Sequence, residues 1–185
     1  NTTDEDMKRL DEMLGLFRKY GAQYHFDPLM LAAQGYQESQ LNQNVKSRVG
    51  AVGVMQVMPA TGEQLKVGDV RVTEPNIHAG AKYLDQLMTR YFPDAPFSED
   101  DRPLFAFAAY NAGPANIARM RKLAADRGLD ADKWFNNVEL VVAEKIGIET
   151  TTYVRNIYKY YVAYRLTPEQ SESQQKLREQ MKKGG

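Results

Sequence analysis

Glu38 is the residue in this chain best placed to do chemistry. It closes an apolar run, Leu29-Met30-Leu31-Ala32-Ala33-Gln34-Gly35-Tyr36-Gln37-Glu38-Ser39. A carboxyl held against apolar neighbours is desolvated, which raises its pKa and keeps it protonated as a general acid near neutral pH. A solvated glutamate at a helix end fits the same segment, as most acidic side chains sit at the surface. Competing chemistries have little to draw on. Cysteine is absent, so no thiolate nucleophile, disulfide or Cys-zinc site can form. The two histidines, His25 and His78, lie far apart, in neither metal-ligand spacing nor a recognisable Ser-His-Asp context. Gly50 and Gly53 lack the lysine or third glycine of a phosphate-cradling loop. No metal, nucleotide or other cofactor is expected.

Three further segments carry unusual residues. In Ser47-Arg48-Val49-Gly50-Ala51-Val52-Gly53-Val54-Met55-Gln56-Val57-Met58-Pro59, the two glycines allow a sharp turn or a close approach to a ligand. Gln56 is an amide among apolar neighbours and needs hydrogen-bond partners if buried. Core packing accounts for the valines and methionines but not for Gln56 or the glycines. Ala109-Tyr110-Asn111-Ala112-Gly113-Pro114 reads on its own as a helix stop. Glu149-Thr150-Thr151-Thr152-Tyr153-Val154 reads on its own as a helix start with a threonine cap.

The elements that must position these residues are helices. Met7, Leu10, Met13, Leu14, Phe17 and Tyr20 recur at helical spacing, with Gly21 expected to end the run. Asp27-Pro28 signals the start of the helix leading to Glu38. Pro59 opens a short helix, and Asn76 is expected to cap another carrying Ile77, Ala81, Leu84 and Met88. Ser98 before three acids marks a helix ending near Asn111, and helices follow over about 115–125 and through Tyr153, Ile157, Tyr160, Tyr161 and Tyr164. The fold class is all-α, with at most a short β element near 45–57. The 185 residues suit one domain, expected over 1–166, with a polar tail over 167–185. Lys+Arg and Asp+Glu both number 24, which removes the simplest argument for nucleic-acid or anionic-membrane binding. No apolar run approaches the ~20 residues of a membrane helix. The chain begins Asn-Thr-Thr-Asp without a signal peptide, as a processed chain or excised domain would.

Glu38-Ser39, Gly53-Val54-Met55-Gln56-Val57-Met58-Pro59, Ala109 to Pro114, and Glu149-Thr150 to Tyr153-Val154 stand in the order found in lytic transglycosylase catalytic domains. The chain resembles the soluble-lytic-transglycosylase-like enzymes of glycoside hydrolase family 23, kin of goose-type lysozymes. The likeness runs over roughly Leu14 to Leu166, and Ser47, Asn76, Gly80 and Tyr83-Leu84 also fit it. It is nearest to the catalytic half of two-domain envelope proteins with an upstream solute-binding-like domain.

The resemblance implies a lysozyme-like fold with a saccharide groove. It also implies non-hydrolytic cleavage of the β-1,4 bond between N-acetylmuramic acid and N-acetylglucosamine in peptidoglycan. The muramyl C6 hydroxyl attacks C1 and leaves a 1,6-anhydromuramyl end. Glu38 matches the single catalytic acid/base, which suits a chain whose next acid after Glu38 is Glu63, since ordinary glycosidases need a second carboxylate. By the same resemblance Ser39, Ser47, Met55, Gln56, Tyr110, Asn111 and Glu149 contact substrate, and the Tyr153 hydroxyl orients Glu38. Ser39 and Ser47 as turn residues, Glu149 as a helix-start acid and Tyr153 as core packing are the structural alternatives. One departure is Glu144-Lys145-Ile146-Gly147-Ile148, where the family often has Ile-Pro-Phe. A monomer in the periplasm or cell envelope, acting on peptidoglycan strands, is implied. The rival readings are a hydrolytic muramidase of goose-lysozyme type and a non-catalytic glycan-binding module.

Overall fold

A computed structural model describes residues 4–167, 176 and 179–184. Eight α-helices are described: α1 (Asp4–Tyr24), α2 (Pro28–Ser39), α3 (Pro59–Leu65), α4 (Thr73–Tyr91), α5 (Asp101–Ala112), α6 (Pro114–Asp126), α7 (Glu139–Lys145) and α8 (Ile148–Arg165). A π-type turn, Trp134–Val138, leads into α7. Between α2 and α3 the only β pairing consists of isolated bridges, Lys46 to Val52 and Val52 to Val57. The all-α expectation with a trace of β structure near 45–57 therefore holds. None of the described helices is long and apolar enough to cross a membrane. Most of the expected tail, 168–175, 177, 178 and 185, lies outside the described residues.

Two helices are buried on nearly every side. In α2, Leu29 through Gly35 are consecutively buried, and in α5 so are Pro103 through Ala109. A helix that is apolar all round belongs in the middle of a fold, wrapped by amphipathic neighbours. Here α1 packs on α2 and α4, while α8 packs on both α2 and α5. The C-terminal ends of α2 and α5 and the first turns of α8 are thereby brought to one region, and these carry Glu38, Tyr110 and Tyr153.

Local chemistry sets the helix ends. The Asp27 side chain accepts from the Leu29 N–H at 2.8 Å, ahead of Pro28 in the first turn of α2. After Ser39 the chain takes two successive left-handed residues, Gln40 (φ 56°) and Leu41 (φ 60°), and the Gln40 N–H donates to Tyr36 O at 2.8 Å. The helix thus stops one residue beyond Glu38, and Leu41 turns back into the core, fully buried.

Three boundaries differ from the sequence expectation. Gly21 does not end α1, which continues to Tyr24. Gly21 is buried beside Phe26, where a Cβ would come 2.5 Å from the Phe26 carbonyl, so close packing explains the glycine. Asn76 does not cap α4, which begins at Thr73 because its side chain serves the 52–57 loop instead. Helix α8 begins at Ile148 after Gly147 (φ 130°), so Thr150 and Thr151 lie inside its first turn, where the Thr151 hydroxyl donates to Ile148 O. The π-type turn and α7 have no counterpart in the sequence reading. The turn buries Trp134 edge-on against Phe105, at 5.5 Å between ring centroids.

Candidate active site

Glu38 sits half-buried at the end of the innermost helix. Burial pushes its carboxyl up to about 7, and desolvation is the sole cause: among the described residues no hydrogen bond or opposing charge counters it. Both its acid and its base form are therefore within reach near neutral pH. General acid–base work requires that condition.

Two phenols approach it. Tyr153, buried on the inner face of α8, accepts a hydrogen bond from Gln34 Nε2 at 3.1 Å. The Tyr110 hydroxyl, at the end of α5, donates to Met55 O at 2.8 Å. Both phenols lie well above their ordinary pKa, first through burial and next through the charge of Glu38. Each stays protonated at any working pH, and both are close enough to Glu38 to feel its ionisation. The Tyr110 ring also packs against Tyr83, with centroids 5.3 Å apart.

The loop over 42–58 forms the adjoining wall and is held by side chains from α4 and α2 and by Gln43 of the loop itself. Asn76, fully buried on α4, accepts from the Met55 N–H and donates to Val52 O and Val70 O, each at 2.8 Å. The Gln43 side chain accepts from the Val54 N–H at 2.9 Å and donates to Val70 O at 3.0 Å. Ser39, buried, donates to Val54 O at 2.8 Å and accepts from the Asn42 N–H at 3.2 Å. Met55 is fully buried over Gly80, where a Cβ would come 2.7 Å from Met55 Cγ. Gly53 (φ 81°) both takes a left-handed turn and makes room for Asn76 and Gln43.

The residues singled out in the sequence divide. Glu38, Tyr110 and Tyr153 come together, with Met55 bonded to Tyr110 through its backbone. Gln56 is itself left-handed (φ 50°), and its amide nitrogen donates to Val45 O at 3.1 Å and Gly53 O at 3.0 Å. Its amide nitrogen therefore braces the loop. Ser39 likewise ties the loop to α2. Ser47 lies in an outer turn, where its hydroxyl accepts from the Ala51 N–H at 3.0 Å, and no hydrogen bond joins it to Glu38 or either tyrosine. Asn111 is exposed and accepts from the Thr150 hydroxyl at 2.8 Å, which fastens α5 to the start of α8. Glu149, the next residue, is exposed there and makes no hydrogen bond or ion pair among the described residues.

Gln34, Gln43 and Thr150 were missed by sequence reasoning. Gln34 had a signal, since it is the first polar residue after the apolar stretch opening α2. Gln43 had none, because its partners are backbone groups of a loop whose path only folding defines. His78 contributes elsewhere, bonded to the Tyr24 hydroxyl at 2.7 Å and stacked on Tyr20 between α1 and α4.

The sequence profile of the Transglycosylase SLT domain matches residues 15–133. The membrane-bound lytic murein transglycosylase F of Pasteurella multocida is 35% identical over 164 residues, covering 82% of this chain and 32% of that protein. The protein of the same name from Marinobacter nauticus is 33% identical over 187 residues, covering 94% of this chain and 37% of that protein. The chain thus spans about a third of the length of these relatives. Two solved structures share the fold. The 70 kDa soluble lytic transglycosylase of Escherichia coli superposes with a TM-score of 0.60 at 28% identity, covering 82% of this chain and 24% of that one. An inactive mutant of the lytic transglycosylase Slt from Pseudomonas aeruginosa superposes with a TM-score of 0.63 at 24% identity, covering 84% of this chain and 24% of that one. With most of its helical body inside the matched profile, this chain belongs to the Transglycosylase SLT domain family.

Proposed function

We propose that this chain is a peptidoglycan lytic transglycosylase domain in which Glu38 acts alone as general acid and then general base. The supporting observation is the lone desolvated carboxyl, poised at about 7, with two protonated phenols beside it and no second acid perturbing it. Hydrolytic glycosidases of the usual kind place two carboxylates about 5–10 Å apart across the scissile bond. Here the acid expected nearest the groove, Glu149, stands exposed at the start of α8.

In the first step protonated Glu38 donates to the glycosidic oxygen. The bond from that oxygen to C1 of N-acetylmuramic acid breaks, and N-acetylglucosamine leaves with a free C4 hydroxyl. The substrate's own N-acetyl group supports the oxocarbenium-like centre. In the second step the C6 hydroxyl of the same muramyl residue bonds to C1, and the Glu38 carboxylate takes its proton. Glu38 ends protonated, no water is consumed, and the product carries a 1,6-anhydro ring. The Tyr153 hydroxyl donates to Glu38 in its ionised interval. Tyr110, Asn111, Met55 and the Gln56 carbonyl flank the sugars on either side of the bond. Glu149 borders the groove, and Ser39 and Ser47 shape its loop.

The relatives' names speak of murein and of membrane binding, which supports a periplasmic or envelope location and action on glycan strands, and their roughly threefold greater length supports a place for this domain in a longer protein. Glu38→Gln tests the assignment. Cleavage of purified sacculi should fall at least about 1,000-fold while sedimentation with sacculi is retained. Continued cleavage by Glu38→Gln would remove Glu38 from the chemistry. A non-catalytic glycan-binding module would leave the wild type as inactive as the variant.

A further inference from the structure

Gln34 is fully buried within α2, one helical turn before Glu38, among residues that are otherwise apolar. Residues four apart share a helix face, so Gln34 lies directly beneath Glu38 on the side that meets α8. Its Nε2 donates to the Tyr153 hydroxyl at 3.1 Å, and its Oε1 is buried with no partner. A buried polar group without a partner is costly. The reverse orientation of the amide would strand both N–H groups to satisfy one carbonyl, which is worse, because orphaned N–H donors are rarer than under-used carbonyls. Tyr153 is therefore the acceptor in this pair.

A phenol has a single proton. With a lone pair of Tyr153 occupied by Gln34, that proton points away from α2's interior. Glu38, one turn beyond Gln34 on α2, is the carboxylate whose charge the phenol feels there. We propose that Gln34 is a positioning residue: its amide donates to the Tyr153 hydroxyl and commits the Tyr153 proton to Glu38. This rests on the assignment of Glu38 as the acid/base. It goes further in giving the phenol a direction, and in tracing that direction to an amide whose hydrogen bond is to Tyr153 and not to Glu38.

Loss of the amide frees the phenol to rotate. In the substrate complex the ionised form of Glu38 then goes without the donor proposed for it, so its pKa there rises. The first step needs protonated Glu38, so the alkaline limb of the kcat profile should move to higher pH while its plateau falls. Folding should not suffer, because Gln34→Leu also removes an orphaned buried carbonyl.

The test compares wild type, Gln34→Leu, Gln34→Met, Tyr153→Phe, Gln34→Leu/Tyr153→Phe and Glu38→Gln on soluble glycan strands across pH. Gln34→Leu and Gln34→Met should each lower kcat about 3- to 10-fold, the range of one hydrogen bond's net contribution. KM should stay within about twofold, the alkaline limb should shift upward, and the melting temperature should be no lower than wild type. In the Tyr153→Phe background Gln34→Leu should have no further effect on kcat. An equal loss in that background, or an unmoved alkaline limb in both single variants, overturns the role of Gln34. Activity in Glu38→Gln overturns the underlying assignment instead, so the two failures are distinct.

Discussion

Asn76 should be the most sensitive single side chain outside the catalytic group. It is fully buried and makes three hydrogen bonds of 2.8 Å, one accepted from the Met55 N–H and two donated to Val52 O and Val70 O. Asn76→Ala leaves one backbone donor and two backbone acceptors without that partner. Each such bond contributes about 1 kcal/mol net, and the stranded Met55 N–H adds to the loss while Val52 O and Val70 O keep the Val57 N–H and Gln43 as donors, so about 4 kcal/mol is expected. A typical domain has about 5–15 kcal/mol in all. The melting temperature of a domain this size should then drop by about 8–16 °C. Asn76→Asp isolates the mechanism. It keeps the acceptor for Met55 but turns an oxygen toward two carbonyl oxygens, so it should lose at least as much as alanine despite its matching shape. Urea unfolding at constant m-value gives the free energies. Turnover of glycan strands by the folded fraction should also fall, because Met55 O is the acceptor that holds Tyr110. A loss below about 1 kcal/mol in both variants would refute the claim that Asn76 fastens the site loop.

Other outcomes follow from the same geometry. The carboxyl of Glu38 is raised from its ordinary 4.5 to about 7, so the folded state holds a proton that the unfolded chain releases between those values. Its contribution to stability is present below about pH 4.5 and is lost as pH rises through 7. Glu38→Gln should therefore be more stable than wild type by about 2–3 kcal/mol at about pH 8 and nearly equal to it at about pH 4, measured by denaturation at both. Wild-type kcat should decline above about pH 7 in a profile taken at saturating substrate, since the first step needs the acid form. Gly80→Ala would bring a Cβ within 2.9 Å of Met55 Cβ, Cγ and Cε, so it should destabilise by about 1–3 kcal/mol and lower kcat by shifting the loop, both read by calorimetry and turnover.

What the sequence disclosed depended on whether a residue's role was local. Asp27-Pro28, Pro59 and Asn111-Ala112-Gly113-Pro114 act on their own neighbours, and the structure puts helix ends at each. Glu38 stood out because an apolar helix precedes it, and burial does raise its carboxyl. Asn76 and the start of α8 were misread because a polar residue near a helix start has two possible occupations, and tertiary contacts choose between them. Asn76 was taken by the loop 21 residues earlier in the chain, with Met55. The partners of Gln34 and Tyr153 lie 119 residues apart, so no periodicity could reveal their bond. Gln56, an amide amid apolar residues, needed partners, and its nitrogen finds them in the loop's own carbonyls. The π-type turn at Trp134–Val138 left no pattern because Asn136 interrupts it with a left-handed residue.

The most direct test of the central claim is the mass of the new glycan ends. Digestion of purified peptidoglycan by this chain, followed by mass spectrometry of the muropeptides, should yield muramyl ends one water lighter than reducing ends. Such ends require attack by the muramyl C6 hydroxyl in place of water. Products that all carry reducing ends would show that water is the nucleophile. They would contradict the account in favour of a goose-lysozyme-type muramidase.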